Sequence, residues 1–310
     1  MRYLALLLSC ILVLPVLAAE PDSDQLTPAY IPLSPDFTAT LEEDIPETQT
    51  VSYSFSREDF DNPVVEIRTS LGTMVLELFP DEAPLTVANF LALADGSKAW
   101  LDPYTGEEVM RPFYDGLTFH RVIDGFMIQG GSPTGMGDGT PGFSFRDEIN
   151  ARNLGLDKMP VFDDEGKPHP LLAINSREDF QQKILAPLYK KLGINNPNDL
   201  DARIDEVDQL LRSMTVKQSY ENLGYQYTER VISRRPVRGV IAMANNGPNT
   251  NGSQFFINLV DIDWLTGKNA VFGKVRVGLE VLDAIGKVPV DGQDRPLEDV
   301  VILTIRQIDP

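Results

Sequence analysis

The order of apolar and polar residues changes texture along the chain. Val65, Ile67 and Thr69 alternate with Glu66 and Arg68, Leu71-Gly72 marks a turn, and residues 73–79 alternate again through Val75-Leu76-Glu77-Leu78. Two such runs around a glycine-containing turn predict a β-hairpin, because successive side chains of a strand point to opposite faces. Asp81-Glu82-Ala83-Pro84 then precedes Val87, Phe90, Leu91 and Ala94 at helical spacing, and Gly96 follows. Acidic residues, an early proline and a glycine past the end predict a helix. Residues 97–116 form a long polar connection that holds Trp100, Tyr104 and Tyr114. Strand-like runs resume at residues 117–123 and 126–129, joined at Asp124-Gly125, and a glycine-rich loop occupies residues 130–142.

Between Asp147 and Arg235 the pattern becomes helical and charged. Ser176 and Asp179 have capping-box spacing ahead of Phe180, Ile184 and Leu188. Pro187 should kink that helix, because its ring displaces a backbone hydrogen bond. Ile204, Val207, Leu211 and Met214 line one face of a second helix. Past Pro236, residues 239–244, 254–259 and 270–275 have strand texture. Leu279, Leu282 and Ile285 suggest a short helix, and residues 300–305 a last strand. Strands dominate, so an antiparallel barrel or sandwich with an inserted helical subdomain is the simplest architecture.

The N-terminus has a different pattern. Met1-Arg2, an apolar run from Leu4 to Leu17 and small residues around Ala18-Ala19 read as a signal peptide over residues 1–19. The run is short for a transmembrane helix, which needs about 20 apolar residues. The expectation is a periplasmic or secreted protein with no membrane attachment after cleavage. Residues 20–62 are acidic and proline-containing and read as an arm or linker, with Val51, Tyr53 and Phe55 alternating near its end.

Charge and reactive residues narrow the chemistry. Lys and Arg number 27 against 46 Asp and Glu, a net charge of −19, which argues against nucleic acid or anionic lipid as the main partner. The 310 residues contain one cysteine, Cys10, and two histidines, His120 and His169. A Cys₄ or Cys₂His₂ zinc site is excluded within one chain. A hydrolytic triad would have to recruit one of those histidines. On an alternating strand Arg121 shares a face with Phe119 while His120 takes the other, so Arg121 would sit amid apolar neighbours. That is an expensive place for a permanent charge unless something uses it. Taken alone, a structural ion pair at a sheet edge explains Arg121 better. Residues 130–142 lack the Gly-Lys-Ser/Thr of a phosphate loop. The segment from Met243 to Phe256 pairs a polar Asn- and Gly-rich turn with apolar ends, and an ordinary hairpin loop is its bland explanation.

Phe119-His120-Arg121-Val122-Ile123-Asp124-Gly125-Phe126-Met127-Ile128-Gln129-Gly130-Gly131 resembles a signature of the cyclophilins, the cyclosporin-binding peptidyl-prolyl isomerases. Residues 243–256 and 264–275 resemble two further signatures, in the family's order. The resemblance covers about residues 64–145 and 236–310. It implies a mainly β fold: a closed eight-stranded antiparallel β-barrel capped by two helices, over residues 63–146 and 236–310, with residues 147–235 as an inserted α-helical subdomain. It implies Arg121 as the catalytic residue. Phe126, Met127, Phe256 and Leu265 would line a proline pocket, and Gln129, Ala244, Asn245 and Gln254 would hold the peptide backbone. Trp264 matches the tryptophan associated with cyclosporin binding, and Asn269 stands where many members have histidine.

What the resemblance implies is a prolyl isomerase that assists folding of exported proteins. Its partners would be proline-containing peptides and unfolded clients, with cyclosporin as a further ligand. Rotation about an amide breaks no covalent bond, so no cofactor, metal or nucleotide is required. The main rival is a cyclophilin-fold chaperone or scaffold that binds proline-containing segments with little turnover. The intact set of Arg121, Phe126, Gln129, Phe256 and Trp264 favours the enzyme.

Overall fold

The structure, a computed structural model, describes residues 53–308. The signal peptide expected over residues 1–19 and the arm up to residue 52 lie outside the described residues. Strands β1 (Val64–Thr69) and β2 (Gly72–Leu78) form the predicted hairpin, paired from Val64↔Glu77 to Thr69↔Gly72. Helix α1 (Pro84–Asp95) follows, with proline in its first turn and Gly96 closing it in the left-handed conformation at φ 80. Its first turn carries no acidic residue. The Glu148 carboxylate serves instead, accepting hydrogen bonds from the Leu85 and Thr86 amides at 3.0 and 2.8 Å. Those amides have no partner within a helix, and a negative charge suits that end of the dipole.

The polar connection contains a small ribbon of β3 (Trp100–Leu101) and β4 (Glu108–Val109). It buries Trp100 edge-on against Phe113, with ring centroids 4.9 Å apart. Strands β5 (Arg121–Ile123) and β6 (Met127–Gly130) pair around the Asp124-Gly125 turn.

The helical segment comprises α2 (Arg177–Phe180), α3 (Ala186–Leu192), α4 (Pro197–Ala202), α5 (Ile204–Ser213) and α6 (Val216–Asn222). Ser176 caps α2 by accepting from the Asp179 amide at 3.0 Å. The kink expected at Pro187 takes another form. A π-helical turn, Gln181–Leu185, joins α2 to α3 just ahead of Pro187, so the irregularity in the hydrogen-bond ladder falls where the proline supplies no N–H. Val207 and Leu211 of α5, with Met214 just beyond it, are buried as the spacing predicted. They join Ile184, Leu185 and Leu188 in a hydrophobic cluster of their own.

Strands β7 (Val240–Met243), β8 (Phe255–Asn258) and β9 (Val271–Val277), helix α7 (Leu279–Gly286) and strand β10 (Ile302–Ile308) complete the fold. Eight strands form one antiparallel sheet in the order β10-β1-β2-β9-β7-β8-β6-β5. The sheet curls around Phe90 of α1, Leu282 and Ile285 of α7, and inward residues such as Ile67, Leu76, Ile128 and Phe272. The ring of Phe90 lies 5.1 to 5.6 Å from those of Tyr114, Phe272 and Phe255. The edge strands β10 and β5 share no ladder. The residues before them meet at a single bridge, Thr118↔Val301, with Ile302 N donating to Leu117 O at 2.7 Å and Phe119 N to Val300 O at 3.0 Å. The architecture is thus a curled, mainly β sheet with helices, joined at one bridge where the expected closed barrel would have a ladder. The short β5 is the cause, because the chain is not in a strand at residues 119 and 120.

Residues 53–62, assigned to the arm by composition, are fastened to the sheet. Glu77 is fully buried and accepts from the Glu58 amide (2.9 Å), the Asp59 amide (3.2 Å) and the Asn62 side-chain amide (2.7 Å). The Arg276 guanidinium of β9 contacts Glu77 at 2.6 Å and Glu58 at 2.5 Å. Arg234 closes the cluster on Glu58 and Glu82, both at 2.6 Å, with its guanidinium 4.0 Å above the ring of Phe79. Burial opposes ionisation of Glu77, but the hydrogen bonds and the Arg276 charge outweigh it and hold its carboxyl below the ordinary range. Hydrogen bonding to Arg234 brings Glu58 down to about 2.

Removing one partner of a buried ion pair strands the other. Glu77→Ala should therefore lower unfolding free energy by about 3–5 kcal/mol in denaturant titration. A depressed carboxylate stabilises fully above its unfolded value of 4.5 and loses that contribution as pH falls toward about 2. Amide protection factors across residues 53–62 should accordingly fall from pH 4.5 downward in the native chain. The Glu58→Gln variant should show a smaller fall, because only Glu77 still titrates there.

Candidate functional site

The sheet has two apolar faces. Along β6 and β8, Ile128, Phe255 and Ile257 point into the main core, while Met127 and Phe256 point outward. Outward residues collect into a second patch, in which Met127, Phe256, Val240, Ala242, Ile262 and Val271 are buried and Phe126 and Leu265 partly so. Strand register aligns one row across this outer face. Arg121 pairs with Gln129, Gln129 with Phe256, Phe256 with Ala242, and Ala242 with Val271. Neighbouring strands are about 4.8 Å apart, so the Arg121 backbone stands roughly 10 Å from that of Phe256.

The alternation expected for Arg121 is corrected. Phe119 and Val122 both enter the core, three residues apart, because residues 119 and 120 are irregular. Arg121 consequently does not share a face with Phe119. It is exposed, at 45% for its side chain, and its Nε lies 3.6 Å from Asp294 Oδ2. An ion pair so exposed contributes about 0–1 kcal/mol, so it orients the guanidinium more than it stabilises the fold. Asp294 belongs to the turn before β10, sits at φ 64, and accepts from the Val122 amide through its carbonyl at 2.8 Å. Its side chain was not foreseen, since nothing local links a residue so distant in sequence to Arg121.

The amide-bearing residues line a groove of about 70 Å³ beside the apolar patch. Gln129, Ala244, Asn245 and Gln254 form one side, and Gly137, Gly139, Thr140 and Pro141 of the glycine-rich loop the other. Gln254 staples the two sides together. Its Nε2 donates to the carbonyls of Gly137 (2.9 Å) and Gly139 (3.0 Å), and its Oε1 accepts from Gln129 Nε2 at 3.0 Å. Asn245 Nδ2 reaches Asn251 Oδ1 and the Lys268 carbonyl, each at 3.3 Å. Asn251 is fully buried and donates to Asp147 Oδ1 at 2.7 Å. Much of the amide supply of residues 245–251 thus holds the loop in shape. Burial raises the Asp147 carboxyl, and its hydrogen bonds to Asn249 and Asn251 counter this.

Trp264 and Leu265 lie in a 3₁₀ turn, Asp263–Leu265. Trp264 is 43% exposed and stacks on Phe126, with centroids 5.6 Å apart and planes 27° from parallel. Asn269 donates from Nδ2 to the Met243 carbonyl at 3.0 Å, so it bridges the segment after Trp264 to β7. Arg121, Phe126, Met127, Gln129, Phe256 and Leu265 therefore border one outward surface, with Ala244, Asn245 and Gln254 adjoining it. Sequence reasoning missed Val240, Ala242, Ile262 and Val271 as its floor. Their apolar, strand-like runs gave no sign of which face would stay accessible. The arrangement offers a shallow apolar bed, amide donors and acceptors beside it and one accessible cation. Such a surface suits an extended peptide with one apolar ring.

The chain is similar to known proteins over most of its length. The family model described as cyclophilin type peptidyl-prolyl cis-trans isomerase/CLD matches residues 64–307. Peptidyl-prolyl cis-trans isomerase B of Streptomyces anulatus is 34% identical over 242 residues, covering 77% of this chain and 93% of the relative. Peptidyl-prolyl cis-trans isomerase-like 1 of Neurospora crassa is 32% identical over 247 residues, covering 79% and 93%. A crystal structure of a Cryptosporidium parvum cyclophilin type isomerase aligns with a TM-score of 0.47 at 24% identity, covering 80% of this chain and 99% of that one.

His120 is buried behind Arg121, and neither imidazole nitrogen meets a partner at hydrogen-bond geometry. Burial first, then the charges of Arg295 and Arg121, bring it down from 6.5 to about 4. The unfolded chain thus binds a proton in a range where the native chain does not. Stability contributed by neutral His120 is complete above pH 6.5 and is lost as pH falls toward 4, on the order of 3 kcal/mol in all. Thermal unfolding should show a drop in Tm over that window for the native chain, and a clearly smaller one for His120→Gln.

Proposed function

The chain belongs to the cyclophilin-type peptidyl-prolyl cis-trans isomerase family, and on that premise we propose that it rotates X-Pro bonds with Arg121 as the catalytic residue. The observation that carries this reading is the row Arg121–Gln129–Phe256, which sets an accessible guanidinium across from an apolar floor on one face of the sheet.

The barrier to amide rotation is about 18–20 kcal/mol, because the resonance that keeps the bond planar must be lost. X-Pro bonds hold cis and trans close in energy, yet interconvert over tens of seconds or more without help. A catalyst need only bind the twisted amide better than the planar one. As the bond twists, the proline nitrogen regains its lone pair and becomes a hydrogen-bond acceptor. A guanidinium aimed at that nitrogen strengthens its contact only in the twisted state, an effect of roughly 2.7–4 kcal/mol for a preorganised donor. Met127, Phe256 and Leu265 grip the proline ring, and Phe126 with Trp264 forms the rim. Gln129, Asn245 and Gln254 face the peptide backbone and hold one flank while the other turns.

Substrates under this reading are proline-containing segments of peptides and unfolded proteins, and cyclosporin is a ligand the same face would take. Export is part of the proposal. It is supported by the apolar run of residues 4–17 and the small residues that follow it. Among the described residues no helix is long and apolar enough to cross a membrane. The division into a sheet unit over residues 63–146 and 236–310 and a helical insertion over 147–235 is likewise proposed. The separate hydrophobic cluster of the helical segment supports it.

Arg121→Ala should lower kcat/KM on a short X-Pro peptide by about 10²–10³-fold, the loss of one preorganised donor. NMR exchange spectroscopy on the peptide measures it. The fold should persist, because the exposed Arg121–Asp294 pair contributes little stability. Undiminished exchange by a folded variant would remove Arg121 from the mechanism. Peptide binding without exchange by the unaltered chain would favour a chaperone or scaffold.

A further inference from the structure

The pocket wall formed by Trp264 and Leu265 has no strand beneath it. Past their 3₁₀ turn, residues 266–269 belong to no helix or strand. Asn269 ties its end to β7, and further anchors come from the helical insertion. Gly267 sits at φ +81, and a Cβ there would lie 2.4 Å from Leu156 Cδ1 and 3.6 Å from Tyr220 Cε2. The positive φ favours glycine there, and any side chain would have to displace the Leu156 methyl. The Tyr227 hydroxyl donates to the Gly267 carbonyl at 3.0 Å. The Tyr220 hydroxyl donates to the Leu171 carbonyl at 2.6 Å, and its ring lies 4.8 Å below Lys268 Nζ, which reaches that same carbonyl at 3.4 Å. Ala270, at the end of the segment, is packed into the insertion's hydrophobic cluster.

The other side of the segment belongs to the pocket. The Lys268 carbonyl accepts from Asn245 Nδ2 at 3.3 Å, Leu265 is packed against the outward apolar patch, and Trp264 stacks on Phe126. One short piece of irregular chain thus joins a helical subdomain to the substrate face. Any part of that order left to be made when substrate arrives would count against binding.

We propose that Tyr227 and Tyr220 are positioning residues for prolyl isomerisation, holding the Gly267-Lys268 backbone so that Trp264, Leu265 and Asn245 are in place before an X-Pro peptide binds. This inference rests on the isomerase reading of the site. The wall contacts the proline ring in the planar and the twisted states alike. Its loss should therefore appear in KM and leave kcat largely unchanged.

The test uses the full chain with Tyr227→Phe, which removes one hydroxyl and keeps the ring. KM for an X-Pro peptide should rise about three- to ten-fold, the range governed by one net hydrogen bond, with kcat within about two-fold. The chain has two tryptophans, Trp100 and Trp264, so ¹⁵N-indole NMR supplies a readout independent of turnover. The Trp264 resonance should shift and broaden in the variant while that of Trp100 stays in place. Tyr220→Phe frees the Leu171 carbonyl that Lys268 also reaches but keeps the ring, so it should act in the same direction more weakly, and it serves if the first variant fails to fold. A folded variant with lower Tm but unchanged KM and an unmoved Trp264 resonance would overturn the proposal, as would a fall in kcat at constant KM. If the unaltered chain shows no exchange of the peptide, the isomerase reading fails instead. The Trp264 resonance then reports on the wall alone.

Discussion

Everything at this site depends on strand register. Five neighbouring strands, β9-β7-β8-β6-β5, each present alternate residues to two apolar environments, one inside the curl and one outside it. A slip of one residue in any pairing would exchange the two sets. Ile128, Phe255 and Ile257 would then meet solvent, and Met127 and Phe256 would press on Phe90 and Tyr114. The bulky core around Phe90 makes such a slip costly. It thereby fixes which residues are left outward to receive a ligand. The accessible surface is a by-product of a core that admits only one register.

On that fixed surface, polarity is distributed unevenly. The one cation in the row is exposed and lightly tethered to Asp294, whereas the amides are tightly committed. Gln254 is engaged with the glycine-rich loop and with Gln129, and Asn251 is buried against Asp147. The result is a stiff groove with one adaptable charge. That distribution suits a reaction in which a bound peptide changes shape while its container does not. The buried neutral His120 fits the same economy, since a second cation directly behind Arg121 would be opposed by burial and by the neighbouring arginines.

The helical segment is built into this framework at three places. Its first residues cap α1 through Glu148, and Asp147 holds the Asn-rich loop. Its last helix and the chain just past it contact Lys268 and Gly267 through Tyr220 and Tyr227. Its return, at Arg234, joins the charge cluster that fastens residues 53–62 to β2 and β9. A helical segment so attached couples its own stability to the geometry of the outward apolar face.

Local pattern alone was enough to read the β1–β2 hairpin, α1 with its Gly96 end, the strands at 240–243, 255–258 and 271–277, and the buried stripe of α5. In each, short-range periodicity and end signals agree with the tertiary environment. The segments that resemble known signatures likewise supplied the residues proposed for the site, and several of these share one outward face. The orientation of Arg121 could not. Alternation predicted a shared face with Phe119, but the chain leaves strand geometry at residues 119 and 120 so that both Phe119 and Val122 can fill the core. Nor could the π turn before Pro187, the attachment of residues 53–62 or the pairing of Arg121 with Asp294 be foreseen. Each depends on partners far away in sequence. The sequence determined which segments become strands and helices and which side chains are available for chemistry, because those follow from neighbours within a few residues. Which apolar face stays open, what holds its rim and where Arg121 stands relative to it follow from contacts that exist only after the sheet has curled.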